Sequence, residues 1–337
     1  MAESTSLHRR SIVIDAACPL LRRRSFVDWY IEGGVTACAP TVGSTASAGE
    51  TLRNLGAWLR LIDARADLTL VRESADIVRA KDEDRLGLIF HFQGADPIEG
   101  DLDLVDAYAA LGVRVVQLAY NVRNRVGDGC EEPADAGLSN FGRDLISRLN
   151  ESGIVVDGAH SGVRTTLEAI EVCGKSGKPF VFSHANPHAL HDHPRNVTDV
   201  QMKACAATGG VIGINGFPWF IGASPRPTLA DYIRHVDYAV ERVGIDHVGL
   251  GLDYFEGMHP VAADEEASKF YQQQVAVRRW GAATYPPPPY YYPAEIATPR
   301  AMPVLTEALQ ARGWGDADIV KVIGGNWLRV YRLAWGA

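Results

Sequence analysis

The feature that most constrains this chain is a regular alternation of short apolar runs with longer stretches of helical spacing. Eight runs are almost continuously hydrophobic, which is typical of parallel strands that helices cover on the outside. The runs lie at residues 11–17, 34–39, 86–93, 113–120, 154–160, 179–184, 210–215 and 247–253. We therefore expect a parallel sheet of eight buried strands.

Helical spacing of apolar residues fills the gaps between these runs. It is clearest at residues 51–64, 101–111, 140–152, 163–173, 200–207 and 229–243. Strand–helix alternation repeated eight times predicts a single α/β domain, a (β/α)8 TIM barrel over residues 1–337. A doubly wound open sheet is the alternative, but such sheets usually carry a glycine-rich phosphate loop after the first strand. Here that position reads DAACPLL.

One segment, residues 256–300, breaks the alternation. It contains TYPPPPYYYP and shows no clean periodicity, so we expect an irregular Pro/Tyr-rich excursion. Consecutive prolines favour stiff polyproline II geometry. Because the segment follows the eighth predicted strand, it should lie over the mouth of the barrel. Two interpretations stay open, a plain surface excursion and a tyrosine-rich lid or subunit contact.

Composition argues against several classes of partner. The net charge is −8 and the isoelectric point about 5.7, with no basic patch, so neither nucleic acid nor an anionic membrane is expected to bind. The sequence also lacks an apolar run of about 18 residues, which a membrane-spanning helix needs. Its five cysteines, an odd number without CxxC spacing, predict free thiols in a reducing compartment. The cytoplasm is the expected location.

Side chains capable of chemistry stand at the ends of five predicted strands, which is where a TIM barrel builds its active site. The third, fourth, fifth, sixth and eighth strands end in FHFQG, QLAYN, VDGAHSG, VFSHANP and GLGLDYF. These endings supply His91, Gln93, Tyr120, His160, His184 and Asp253.

A lone buried histidine is more often a core residue than a ligand, but this group is different. His160 and His184 on neighbouring strands, together with Asp253, provide the imidazole and carboxylate ligands typical of zinc. Zinc would activate a water molecule, and Asp253 could take its proton. Arg195 follows the sixth strand and could bind a substrate carboxylate, with a surface ion pair as the alternative role.

Three motifs, in this order, resemble the renal (membrane) dipeptidase family: GLSNFGRDLISRLNESGIVVDGAH, FVFSHANPHALHDHPRN and HVGLGLDYFEG. The closing IVKVIGGNWLRVY is also similar, and the resemblance covers nearly the whole chain. It implies an amidohydrolase-type barrel with two bridged zinc ions that hydrolyses dipeptides. It also implies that His160 and His184 hold the second zinc. Asp253 would then lie near the first zinc and the attacking water, and Arg195 would hold the substrate carboxylate.

The chain departs from this family at the first metal site. Ala17 and Pro19 replace the usual HxD pair at the end of strand one, and Asp15 lies deeper in that strand. Gln93 replaces the bridging glutamate, and Tyr120 replaces a substrate-binding histidine. Alanine and proline side chains bind no metal, and an amide bridges two cations poorly. The replacement of the HxD pair and the replacement of the bridging glutamate are consistent with each other. A bridging carboxylate is needed only where two cations are bound.

We therefore expect one zinc ion rather than two. His160 and His184 would hold it, with help from Gln93, Asp253 or His91. A single zinc ion with an open coordination position can still activate water.

The leading functional hypothesis is a zinc-dependent hydrolase that cleaves an amide bond in a dipeptide or an N-acyl amino acid. Asp253 and Tyr120 would be catalytic, and Arg195, Tyr120 and His91 would bind the carboxylate-bearing substrate. One alternative is different C–N or C–C bond chemistry on a small modified amino acid or amine, with Tyr120 as an acid–base group. Another is a non-catalytic, ligand-binding barrel. By resemblance alone, we expect a homodimer.

Overall fold

Parallel strands close into a ring in the computed structural model, which describes residues 6–335. Within those residues the strands are β1 (Ile14–Cys18), β2 (Ala37–Gly43), β3 (Leu68–Leu70), β4 (Leu86–Leu88), β5 (Phe90–Phe92), β6 (Val113–Gln117), β7 (Val155–Asp157), β8 (Phe180–Val181), β9 (Ile212–Ile214) and β10 (Val248–Leu250). Hydrogen-bonded neighbours follow the order β8-β7-β6-β5-β2-β1-β10-β9. A parallel bridge between Phe182 and Ile212 joins the two ends. The predicted (β/α)8 TIM barrel is confirmed.

The third strand of the barrel is divided into β4 and β5, on either side of Ile89. β4 pairs with β2, while β5 pairs with both β2 and β6, so the ring stays continuous. β3 lies outside the ring and pairs with β4 alone. The sequence analysis missed β3, because a run of three residues is too short to show periodicity.

Helices surround the strands. They are α1 (Leu7–Arg10), α2 (Val27–Glu32), α3 (Ala48–Ala64), α4 (Ser74–Asp82), α5 (Asp103–Ala110), α6 (Asn140–Glu151), α7 (Val163–Lys175), α8 (Asp199–Ala207), α9 (Pro218–Ile221), α10 (Leu229–Val243), α11 (Asp264–Ala276), α12 (Met302–Ala311), α13 (Asp316–Val320) and α14 (Asn326–Trp335). All six predicted helices are present. α3 begins three residues earlier than predicted, because Ser47 and Glu50 form a capping box there.

The amino-terminal end of the barrel is packed with apolar side chains. Small and branched residues such as Ala16, Ala37 and Val155 form one buried cluster with α14. Trp327 of α14 enters this end and donates its indole N–H to the Leu250 carbonyl at 2.9 Å. Because this end is filled, the polar chemistry is confined to the opposite, carboxyl end.

At the carboxyl end the strands stop earlier than predicted. Tyr120, His160, His184 and Asp253 each lie three residues beyond the end of β6, β7, β8 or β10. His160 and Asp253 have φ values of 65° and 58°, in the left-handed region, which cannot continue a strand. The turn lifts these side chains out of the ladder and into the mouth of the barrel.

The segment 256–300 differs from its predicted irregular form, because α11 occupies part of it. Asp264, Glu265 and Glu266 stand in the first turn of α11, where carboxylates are favourable. Later in the segment, Trp280 stacks on Tyr285 with ring centroids 4.5 Å apart. Both rings lie over the mouth of the barrel. Across residues 6–335, no helix combines the length and apolar character that a membrane crossing requires.

Two glycines allow β9 and β10 to approach the end of β8. A Cβ atom on Gly251 would lie 1.9 Å from the Ser183 carbonyl oxygen, and one on Gly213 would lie 2.1 Å from the same atom. These distances are far below van der Waals contact. Close approach of the backbone therefore fixes the position of Ser183 and of the next residue, His184.

We expect Gly251→Ala to lower the free energy of unfolding by about 1–3 kcal/mol, because the added methyl group must displace backbone. Chemical denaturation measures the effect. Gly56→Ala is the matched control, since Gly56 lies within α3 and its Cβ would meet only the Arg60 side chain at 3.7 Å. That change should stabilise the protein by about 0.5–1 kcal/mol. Equal effects of the two substitutions would contradict the packing described.

Candidate active site

Two histidines meet at the mouth of the barrel. His160 Nε2 and His184 Nε2 are 2.9 Å apart, and both side chains are buried. Burial, and then the positive charge of Arg195, lowers the pKa of both imidazoles well below the usual value. Both rings are therefore neutral near pH 7, which is the form in which histidine binds metals.

Asn121 determines which nitrogen of His160 carries the hydrogen. The Asn121 Nδ2 donates to the backbone carbonyl of Arg279 at 2.7 Å, and this orients its Oδ1 as an acceptor. His160 Nδ1 lies 2.6 Å from that Oδ1 and must donate to it. The Nε2 of a neutral His160 is then unprotonated and presents a lone pair.

Asp157 determines the tautomer of His184 through Ser183. Burial by itself raises the pKa of Asp157, but the hydrogen bond and charge of His91 bring the pKa below its usual value. The ionised carboxylate only accepts, so the Ser183 hydroxyl donates to Asp157 Oδ2. Ser183 Oγ in turn accepts from His184 Nδ1 at 2.7 Å. The Nε2 of His184 is therefore unprotonated as well.

Two lone pairs thus face each other across 2.9 Å. This arrangement is repulsive unless a cation lies between the two nitrogens. Zn–N bonds of about 2.0–2.1 Å in tetrahedral geometry place two ligand nitrogens roughly 3.3–3.4 Å apart, a few tenths of an ångström more than here. Metal-binding histidines usually donate their second ring N–H to an oxygen acceptor, as both rings do here. The donor chemistry therefore fits a divalent metal.

The predicted ligand set of four residues is not gathered as a set. Within residues 6–335, no cluster of three or more His, Cys, Asp or Glu side chains is arranged to hold a metal ion. The Asp253 carboxylate instead accepts a hydrogen bond from Asn215 Nδ2 at 3.1 Å. Gln93 lines the same cavity as His160, and its Nε2 has no partner among the described residues. Of the four predicted ligands, the two imidazoles are the side chains whose polar atoms are in direct contact.

Two carboxyl groups of the barrel are shielded from solvent, the half-buried Asp253 at its mouth and the fully buried Asp15 in β1. Burial raises the pKa of Asp253 and of Asp15 to about 7. The Oδ1 of Asp15 accepts from the Leu252 N–H at 2.9 Å, while its Oδ2 has no partner in the described part of the chain. Asp253 faces the cavity and can exchange a proton near neutral pH, as a general base must.

Arg195 is a buried cation without a counter-ion among residues 6–335. Only 2% of the residue is exposed, and its guanidinium lies 5.1 Å from the centre of the Phe220 ring. It donates to the His184 carbonyl at 3.4 Å, and its Nε has no partner among residues 6–335. None of the carboxylates in that range pairs with it. A buried guanidinium in this state is suited to bind an anionic group of a ligand.

An aromatic roof covers the site. The cavity beneath it holds about 30 Å³ and is lined by Gln93, His160 and Asp253 together with Phe217, Phe255, Trp280 and Tyr285. Tyr120 stacks on His160 at 4.1 Å, and its hydroxyl accepts from Trp280 Nε1 at 3.2 Å. A wider cavity of about 300 Å³ reaches His160 and Arg195 from the side.

His91 is placed differently from the other predicted site residues. It is fully buried, and its Nε2 contacts Asp157 at 3.2 Å, one layer below the cavity. It lines neither the cavity under the roof nor the side cavity. This position favours a role in holding Asp157 rather than in touching the substrate.

Sequence reasoning missed three residues on which the site depends: Asn121, Asp157 and Ser183. Each stands within three positions of a predicted ligand or of Tyr120, so proximity was a usable signal. Of the three, Asp157 has the clearest signal in the sequence, because an acidic residue at the end of a buried strand requires a hydrogen-bond or charge partner. The role of Asn121 could not be inferred, because its anchor is the carbonyl of the distant Arg279.

Comparison with known proteins gives a consistent result. The model of the membrane dipeptidase family (peptidase family M19) matches residues 30–280. A crystal structure of an amidohydrolase from Pseudomonas aeruginosa is 34% identical, has a TM-score of 0.87, and aligns over 98% of both chains.

Two curated relatives are similar at the level of sequence. An uncharacterized protein in the pqqA 5′ region of Klebsiella pneumoniae is 29% identical over 80% of this chain and 89% of its own length. Dipeptidase tcpJ of Claviceps purpurea (strain 20.1) is 29% identical over 85% of this chain and 60% of its own length. The chain therefore spans less than two thirds of this fungal relative.

We expect Asp15→Asn to change how stability depends on pH. In the folded protein Asp15 keeps its proton up to about pH 7, whereas in the unfolded chain it loses the proton near pH 4. Between these values the folded state binds more protons, so wild-type stability falls as pH rises, by at most about 1.4 kcal/mol per pH unit. The variant lacks this contribution.

Urea unfolding between about pH 5 and pH 8 measures the difference. The free energy of unfolding of the variant, relative to wild type, should increase with pH. Asp82→Asn, at an exposed position, is the control and should show a constant difference. A constant difference for Asp15→Asn as well would contradict the raised pKa.

Proposed function

The chain belongs to the membrane dipeptidase family (peptidase family M19), and we propose that it hydrolyses an amide bond with the help of one metal ion. The proposed substrate is a small carboxylate-bearing amide, a dipeptide or an N-acyl amino acid. The observation that carries the proposal is the pair of unprotonated nitrogens on His160 and His184, 2.9 Å apart and each held by a hydrogen bond at Nδ1.

His160 and His184 would hold the metal, and zinc is the ion that imidazole ligands and the family favour. Gln93 lines the same cavity as His160 and is the candidate for a third ligand. When bound, the ion supplies Lewis acidity to the reaction. Two ions are not expected, because Ala17 and Pro19 stand where the family carries ligands for the first of its two metals.

Asp253 is the proposed general base. Its carboxyl group faces the cavity, where it could take a proton from the attacking water and return it to the leaving amine. Asn215 holds one of its oxygens at 3.1 Å, which keeps the group oriented. Tyr120 stacks on His160 and would fix that ring rather than supply a proton, since burial raises the pKa of Tyr120 above its usual value.

Arg195 would bind the substrate carboxylate. Its charge is buried and has no acidic partner among the described residues, so an incoming carboxylate replaces solvation that the guanidinium has already lost. The side cavity of about 300 Å³ connects Arg195 with His160 and is large enough for a small amide. The aromatic roof excludes bulk water, which strengthens these charge interactions.

We expect His184→Ala to lower kcat/KM for alanyl-alanine by about 10³-fold or more, because one of two metal ligands is removed. His259→Ala is the control, since His259 lines neither of the two cavities at the site, is partly exposed and pairs with Asp264 at 2.8 Å. It should keep activity within about twofold. The assay uses zinc-repleted protein, with chelated protein as the blank. Equal activity of wild type and His184→Ala would contradict the proposal.

We expect Arg195→Gln to weaken recognition of the substrate's carboxylate in particular. Wild type should hydrolyse alanyl-alanine roughly 10–100 times more efficiently than alanyl-alanine amide, because a charge-assisted hydrogen bond contributes about 1.5–3 kcal/mol. In the variant the ratio should fall close to one, mainly through KM. Arg195→Lys should recover part of it. If Arg195→Gln lowered both rates equally, Arg195 would not be the carboxylate ligand.

A further inference from the structure

A second polar cavity, of about 330 Å³, opens beside the roof of the site, and neither the proposed chemistry nor the family resemblance accounts for it. It lies where β2 ends and α3 begins. We call it the basic pocket and define it by its polar lining residues Arg22, Thr41, Ser44, Glu50, Thr51, Asn54 and Arg279. Arg22 also lines the cavity above His160, so the two cavities are adjacent.

Two guanidinium groups and one carboxylate, that of Glu50, line this pocket. Burial, and then the charge of Arg22, lowers the pKa of Arg279, so the two cations are near enough to repel. Among residues 6–335, no carboxylate forms an ion pair with Arg279, and the ion pair of Arg22 is a long one, 3.9 Å to Glu256. Glu50 borders the pocket, but its carboxylate already accepts from the Ser47 backbone and hydroxyl at 3.0 and 2.9 Å.

Two buried hydroxyl groups complete the pocket. Thr41 and Thr51 are 3% and 1% exposed, and the Oγ1 of each has no hydrogen-bond partner in the described part of the chain. A buried hydroxyl without a partner costs free energy, so a polar group that reached these oxygens would be favoured. Thr51 lies in the first turns of α3, a helix of 17 residues whose positive end faces the same side.

The ring of strands places this pocket opposite Arg195. The pocket follows β2, and Arg195 follows β8. In the closed ring three strands separate β2 from β8 in either direction, β5, β6 and β7 on one side and β1, β10 and β9 on the other. His160 follows β7 and Asp253 follows β10, so these two residues stand on the two arcs of the ring that separate the cationic sites. A substrate that reaches both must cross the catalytic residues.

We propose that the basic pocket binds a second carboxylate of the substrate, at the end opposite to the one held by Arg195. This inference rests on the proposed function for the reaction itself. The preferred substrates are then amides with two acidic ends, such as a dipeptide whose first residue is acidic. Paired guanidinium groups and hydroxyls suit a carboxylate, which accepts several charge-assisted hydrogen bonds.

The selectivity test compares aspartyl-alanine with asparaginyl-alanine, which have the same shape and differ by one charge. For wild type, kcat/KM should favour the acidic dipeptide by roughly tenfold or more. Arg279→Gln should bring the ratio close to one. Arg278→Gln removes the same charge from the exposed neighbouring position and should leave the ratio unchanged. A wild-type ratio of one, or an unchanged ratio in Arg279→Gln, would overturn the proposal.

A binding measurement separates this inference from the proposed function. Isothermal titration of the full chain with succinate should show binding that Arg279→Gln weakens at least tenfold and Arg278→Gln does not. The protein could show this difference in succinate binding and yet hydrolyse neither dipeptide. In that case the proposed hydrolysis is wrong, and the proposal that the basic pocket binds a carboxylate is supported. Equal succinate affinity in wild type and Arg279→Gln would contradict the proposal that the basic pocket binds a carboxylate, because binding at Arg195 alone would give that result.

Discussion

The buried carboxylate of Asp157 organises the site. It accepts hydrogen bonds from the Ala159 and Ser183 N–H groups, the Ser183 hydroxyl and His91 Nε2. These donors come from β5 and from the residues just beyond β7 and β8, so one charge ties three strands of the ring together. Burying a carboxylate is costly unless it is fully hydrogen-bonded, and here both oxygens have donors. Because Asp157 stays ionised, the Ser183 hydroxyl must donate to it, and His184 must present a bare Nε2.

The other half of the pair depends on a part of the chain distant in sequence. His160 takes its tautomer from Asn121, and Asn121 takes its orientation from the Arg279 carbonyl in the segment 256–300. That segment also carries Trp280 and Tyr285 of the aromatic roof. The same excursion therefore closes the cavity, orients a proposed metal ligand and contributes Arg279 to the basic pocket. Movement of this segment would alter all three features together.

The barrel could be predicted from the sequence because the pattern of a buried strand occurs eight times. Eight apolar runs matched eight strand positions, and the closed ring then required that His160 and His184 meet. The sequence does not predict the role of a site residue when that role depends on the direction of a hydrogen bond. Nothing in the sequence indicates that Asn121 is anchored 158 residues away at Arg279. The same limit applies to the basic pocket, since Arg22 and Arg279 come from opposite ends of the chain and only the folded ring makes them neighbours.

The proposed chemistry depends on one metal ion shared by the two facing imidazoles. Anomalous diffraction at the zinc absorption edge, from crystals grown with zinc, tests it most directly. The account predicts a single anomalous peak between His160 Nε2 and His184 Nε2, with the two nitrogens a few tenths of an ångström further apart than 2.9 Å. A barrel mouth with no peak, or with a second peak near Ala17 and Pro19, would contradict it.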